Sequence, residues 1–107
     1  MQETIGAETV DLGGPRTIRN AEETRSLLLE ALRGPSPIRL DCSSVAEADL
    51  SFVQLLLSAR KSGQATGKIA TLAHSPRGAF LQAASRAGFS TAPDPLAGAG
   101  SYWLEKE

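Results

Sequence analysis

A chain of 107 residues, 41% hydrophobic and 21% charged, predicts one domain spanning residues 1–107 with a single modest core. Its 11 basic and 12 acidic residues leave a net charge of -1, without the concentrated basic surface that nucleic acid or an anionic membrane face requires. One cysteine, Cys42, excludes an internal disulfide, and a single histidine argues against a structural zinc site, so no metal and no cofactor are expected.

The first predicted element lies within residues 3–12, where Val10 and Leu12 alternate with Thr9 and Asp11 as in a strand. Gly13-Gly14-Pro15 breaks it. Asn20 then opens a helix as its cap, with Glu22 in the first turn and Glu23 at the capping-box position. Leu27, Leu28, Ala31 and Leu32 form its apolar stripe, and Gly34-Pro35 ends it. Ile38-Arg39-Leu40-Asp41-Cys42 alternates again and predicts a strand with Ile38, Leu40 and Cys42 on one side. Residues 43–48 read as a connection.

The most informative stretch follows. Ser51 stands at the start of an apolar helix, with Gln54 three residues on, which is the capping-box spacing. Asp49 adds negative charge near the positive end of the helix dipole. Phe52, Val53, Leu55, Leu56, Leu57 and Ala59 predict a largely buried helix from Ser51 to about Ser62. Arg60 and Lys61 complement its C-terminal end, and Gly63 closes it.

Residues 68–74 predict another short strand. Ser75-Pro76 reads as the cap and first residue of a third helix, from about Arg77 to Ala87, with Phe80, Leu81 and Ala84 inward and Gly88 as its stop. Pro93, Pro95, Gly98 and Gly100 mark a loop, and Tyr102-Trp103-Leu104 predicts a last strand at a sheet edge. The expected fold class is α/β: a small mixed β-sheet of about four or five strands flanked by about three helices. The sheet is expected to be partly parallel with its first strands antiparallel, and right-handed crossovers place the helices after strands 38–42 and 68–74 against the same sheet.

No Gly-x-x-x-x-Gly-Lys-Ser/Thr loop, Gly-x-Gly-x-x-Gly turn, Gly-x-Ser-x-Gly elbow or His-Glu-x-x-His pair occurs, so no enzyme is indicated and no catalytic residue is assigned. Asp41 and Asp49 form either a carboxylate pair or two turn and cap residues. His74 is either an acid–base group or a structural residue at a strand end. Cys42 reads as a small buried hydrophobe. Trp103 and Tyr102 either cover a sheet edge or anchor a partner. Arg16, Arg19 and Lys61 read as solvated charges. No segment is apolar enough to span a bilayer and no signal sequence is evident, so a cytoplasmic location is expected.

The run Ile38-Arg39-Leu40-Asp41-Cys42-Ser43, then Ala48-Asp49-Leu50-Ser51, Leu55-Leu56, Gly67-Lys68, Ser75-Pro76 and Leu81 to Gly88-Phe89, resembles a STAS domain. These are the sulphate-transporter and anti-sigma-factor-antagonist domains, and the resemblance covers roughly residues 9–90. It implies a small sheet flanked by helices and a bacterial regulatory protein without catalytic activity. In one group of stand-alone members, a Ser or Thr at the start of the second helix is phosphorylated by a partner kinase that doubles as an anti-sigma factor, and only the unphosphorylated form binds that partner. The circuit is of sigma-factor or chemotaxis type. Other stand-alone members are cytoplasmic subunits of lipid-transport ATP-binding-cassette complexes.

By the resemblance, Ser51 is the candidate phosphoacceptor, and Asp49, Leu50, Ser51, Phe52 and Gln54 form the partner-binding surface. Two positions depart from the family pattern: Phe52 stands where Gly usually follows the acceptor, and Thr17 where an Asp often stands. Read from the residues alone, Ser51 is first a helix cap; the resemblance brings the phosphoacceptor reading level with it. A phosphate there would add roughly -1.5 to -2 charges, while the helix dipole contributes only about 0.3–1 kcal/mol. A full switch needs about 5.5 kcal/mol, so most of the difference would have to arise at the partner. The function adopted is a protein-binding domain for a serine-kinase or anti-sigma-type partner, switched at Ser51; the alternative is a subunit docking on a transporter ATPase, and a small-molecule module comes third. A homodimer through the Tyr102-Trp103 tail is a further option.

Overall fold

A computed structural model describes residues 8–34, 38–74, 76–93 and 102–106. The chain runs β1 (Glu8–Asp11), β2 (Gly14–Arg16), a 3₁₀ turn (Ile18–Asn20), α1 (Ala21–Arg33), β3 (Ile38–Asp41), β4 (Val45–Ala48), α2 (Leu50–Ala65), β5 (Ala70–Leu72), α3 (Gly78–Arg86), β6 (Phe89–Pro93) and β7 (Tyr102–Lys106). The main sheet has the order β1-β3-β5-β7-β6, and β2 pairs with β4 in a separate two-stranded sheet. This is the mixed α/β architecture of three helices and small sheets that the sequence predicts.

The sheet is partly parallel as expected, but its first strand differs from the expected direction. β1, β3 and β5 are parallel to one another, with Val10 opposite Leu40 and Leu40 opposite Leu72. The antiparallel pairs are instead the late ones, β5 with β7 and β6 with β7. Each early pair of strands is separated by a helix, and a crossover helix returns the chain parallel. β7 is also not an edge strand: β6 covers its outer side, and Trp103 and Leu104 are buried.

The alternation in β3 is realised. Ile38, Leu40 and the following Cys42 are buried, while Arg39 is exposed. They meet Leu28 of α1, Phe52, Val53 and Leu56 of α2, and Phe80, Ala83 and Ala84 of α3. The Phe52 and Phe80 rings lie edge to face with centroids 5.5 Å apart. Leu81 departs from its expected inward place and is 40% exposed; Ala83 takes the inward position.

The segment 43–48, expected as a plain connection, contains β4. It pairs in parallel with β2, which lies in the stretch expected only to break structure. Gly14 there has φ +84°, a left-handed conformation that costs glycine little, and the register shifts between Gly14 and Pro15.

α2 extends three residues past its expected end. Gly63 lies inside the helix, buried, where an added Cβ would stand 3.3 Å from the Lys68 carbonyl and 3.4 Å from Leu32. Its missing side chain thus serves close packing, and the reversal falls to Gly67, with φ +78°. Arg60 is accordingly not in the last turn; its guanidinium lies 4.6 Å from the Trp103 ring centroid. α3 begins at Gly78 with Arg77 as its cap, so Pro76 precedes the helix, and Ser75 lies outside the described residues. Gly88, at φ +88°, follows α3 as expected.

Candidate functional site

The site is the corner where the 3₁₀ turn meets the start of α2. Asp49, not Ser51, caps α2. Its backbone is extended (φ -140°, ψ -173°), and its carbonyl accepts the Phe52 N–H at 3.1 Å. One carboxylate oxygen, Oδ1, accepts the Ser51 N–H at 3.1 Å and the Ser51 hydroxyl at 2.5 Å. The other, Oδ2, accepts the N–H of Ile18 at 3.0 Å, from 31 positions earlier in the chain. Donation by the Ser51 hydroxyl, supported by these backbone N–H groups, holds the Asp49 carboxyl below the usual carboxylate range.

The expected capping box of Ser51 and Gln54 is therefore replaced. Ser51 is the second residue of the helix, half-buried, and donates its hydroxyl rather than accepting. Gln54 lies exposed two positions beyond where a box partner of Asp49 would stand. The spacing misled because both Asp and Ser are good caps, and the earlier one wins when its second oxygen also finds a donor.

A box does form on the other side of the corner. The Thr17 hydroxyl oxygen accepts the Arg19 N–H at 3.3 Å, and the Asn20 side-chain oxygen receives the Thr17 N–H at 3.5 Å. Asn20 does stand at the cap position of α1, but its side chain makes no cap bond there and turns back to Thr17. Thr17, Ile18, Asn20, Glu47 and Asp49 line an open groove of about 520 Å³.

Of the five residues expected to form the partner surface, the corner exposes some and buries one. Leu50 is 52% exposed, and Asp49 and Ser51 are half-buried. Phe52 is 1% exposed and points into the core. It therefore neither shields Ser51 nor offers itself as an anchor. Ile18, which the sequence reading passed over, is 67% exposed and hydrogen-bonded to Asp49. An isolated branched apolar residue between Thr17 and Arg19 was the available signal.

Arg16 supports the corner from beneath. Expected as a solvated charge, it is 8% exposed. Its guanidinium donates to the carbonyls of Leu12 at 3.1 Å and Gly13 at 3.0 Å and to the Thr24 hydroxyl at 3.1 Å. It thus ties the loop before β2 to α1. Exposed Glu23 stands 3.8 Å away and adds little at that separation.

The other candidates are satisfied locally. Asp41 accepts the Ser43 hydroxyl at 2.6 Å and its N–H at 3.0 Å, and these bonds, ahead of the charges of His74 and Arg77, lower its carboxyl. This is the turn-filling role, with partners different from those of Asp49. Burial pushes the Cys42 thiol up to about 12, so the thiolate is absent at neutral pH. Among the described residues no cluster of three or more potential metal ligands occurs, and no helix is long and apolar enough to cross a membrane.

A family model described as "Mlab, STAS domain" matches residues 1–97. The chain belongs to the STAS family. No curated protein and no solved structure matches it. β7 of this STAS domain lies beyond the matched stretch, yet contributes Trp103 and Leu104 to the core. STAS domains are in general non-enzymatic binding domains that act through protein–protein contacts.

Proposed function

We propose that the chain works as a single non-enzymatic domain that docks on a partner protein through the corner joining the 3₁₀ turn to α2. The observation that carries this reading is the placement of Ile18 and Leu50. They are the two most exposed large hydrophobic residues among those described, at 67% and 52%, and both adjoin Asp49. Single exposed apolar residues need no explanation. Here one, Ile18, is hydrogen-bonded through its N–H to Asp49, and the other, Leu50, follows Asp49 in the chain. Both stand beside a polar groove that Ile18 and Asp49 line, the anatomy of a small interface.

Of the two partner classes implied by the resemblance, this geometry favours constitutive docking, as a STAS subunit on the ATPase of a transporter in the bacterial cytoplasm. The outermost side chain at the start of α2 is apolar Leu50, and the Ser51 hydroxyl is already engaged by Asp49. The anti-sigma-type switch is the second reading. It draws on Ser51 itself, half-buried in the first turn of α2, where a phosphate would bring roughly -1.5 to -2 charges against an ionised carboxylate.

The test is capture from native-host lysate with wild type, Leu50→Arg, Ser51→Ala and Ser51→Glu, the captured proteins being identified by mass spectrometry. A transporter ATPase held by wild type and Ser51→Ala and lost by Leu50→Arg supports the docking reading. A kinase-like anti-sigma partner lost only with Ser51→Glu moves the assignment to the switch. Equal capture by wild type and Leu50→Arg overturns the corner as the docking surface.

A further inference from the structure

We propose that Asp49 is the positioning residue of this surface: a two-sided acceptor that fixes the 3₁₀ turn to the start of α2, so that Ile18 and Leu50 are presented in one preorganised arrangement. The inference rests on the docking reading and adds to it a residue that need not touch the partner.

A helix cap needs only one acceptor oxygen, and Oδ1 of Asp49 fills that role toward Ser51. The bond from Oδ2 to the Ile18 N–H is superfluous to capping; it crosses between two elements. Nor does side-chain packing fix Ile18, since that side chain is 67% exposed. The Thr17–Asn20 box closes the turn on itself without joining it to α2. The Ser51 hydroxyl, 2.5 Å from Oδ1, holds the carboxylate in the orientation that leaves Oδ2 facing Ile18. A surface held ready in this way avoids the ordering cost that a loose turn would meet on binding.

The two roles of Asp49 separate chemically. Asparagine caps helices about as well as aspartate, so Asp49→Asn keeps one oxygen for the Ser51 N–H. Its second group is an NH₂, which cannot accept from Ile18. Asp49→Ala has neither acceptor. Amide exchange of the isolated domain, followed by NMR, should show Ile18 exchanging about tenfold or more faster in Asp49→Asn with Ser51 unchanged, and both residues faster in Asp49→Ala. In lysate capture, Asp49→Asn should then hold less transporter ATPase than wild type while still unfolding in a single cooperative thermal transition. Wild-type exchange at Ile18 in either variant overturns the proposal, as does a released Ile18 with undiminished capture. Failure of the docking reading has a different signature: Leu50→Arg captures as wild type does, whatever the exchange at Ile18.

Discussion

The two ends of α2's first turn are held by different forces. Phe52 and Val53, with Leu56 behind them, are sunk in the core, where contact is non-directional and many neighbours share the load. Leu50 and Ser51, immediately before them, stand at a corner held by individual hydrogen bonds, accepted by Asp49 and Thr17 and donated by Arg16. A core of this kind tolerates small shifts of partner but not loss of volume. A corner of this kind tolerates loss of volume but not loss of an acceptor. The helix is thus anchored by one face and leaves its first residues available for contact.

The largest effect expected from breaking this contrast is on the core side. Phe52→Ala removes a fully buried ring and its edge-to-face partner contact with Phe80. It should cost about 3–5 kcal/mol, and thermal denaturation should show the midpoint falling by more than about 10 °C. Because Phe52 is not at the surface, Phe52→Leu, which keeps most of the volume, should capture partner as wild type does. Reduced capture by a well-folded Phe52→Leu would restore Phe52 to the docking surface.

Arg16 is the next step down. Replacing it with methionine keeps apolar bulk but leaves the Leu12 and Gly13 carbonyls and the buried Thr24 hydroxyl without their donor. A loss of about 1–3 kcal/mol in denaturant unfolding is expected. Arg16→Lys should recover only part of it, since an ammonium lacks the planar fork that reaches three acceptors.

This contrast also decides what could be seen in the sequence. The core is written as periodicity: Ile38 and Leu40 at a spacing of two, Leu28 and Ala31 at three, Phe52 and Leu56 at four. Those spacings are local, so the α/β class and all three helices were legible. The corner is written in single polar residues whose partners lie far along the chain, such as Ile18 with Asp49, and no local pattern encodes such a pairing. For the same reason Ser51 looked like a cap, Arg16 looked solvated, and the β2–β4 pair went unseen, since its strands carry no clean alternation. The parallel direction of β1 was not legible because it depends on how the crossover helix returns, which a four-residue strand does not specify by itself. The start of α2 as the candidate site comes from the resemblance; the burial of Phe52 and the exposure of Ile18 are what no local pattern carried.

A smaller effect tests the polar side by pH. The Asp49 and Asp41 carboxyls are both lowered in the folded chain by serine donors, so the folded state binds protons less readily there than the unfolded state. Their contribution is fully present above the unfolded carboxylate range and is lost as pH falls through the folded values, that is, below about pH 4. Asp49→Asn should therefore lower the neutral plateau of a stability–pH curve and flatten its acid limb, the variant meeting wild type at the acid end. An acid limb identical in wild type and the variant would show that the corner carboxylate contributes nothing to it.

The smallest stability effect should belong to the residue with the largest docking effect. Leu50 is 52% exposed at the first position of α2, and Leu50→Arg removes little buried area. The guanidinium sits unfavourably at the positive end of the helix, by about 0.3–1 kcal/mol before screening. Unfolding in urea should therefore shift by no more than about 0.5 kcal/mol. The same substitution places a charge where a partner's apolar surface would have to desolvate it, a cost that solvent spares the free domain. A variant that is wild-type in stability and deficient in capture separates the two halves of the turn. A variant that unfolds readily would instead show that Leu50 carries structural load its exposure does not reveal.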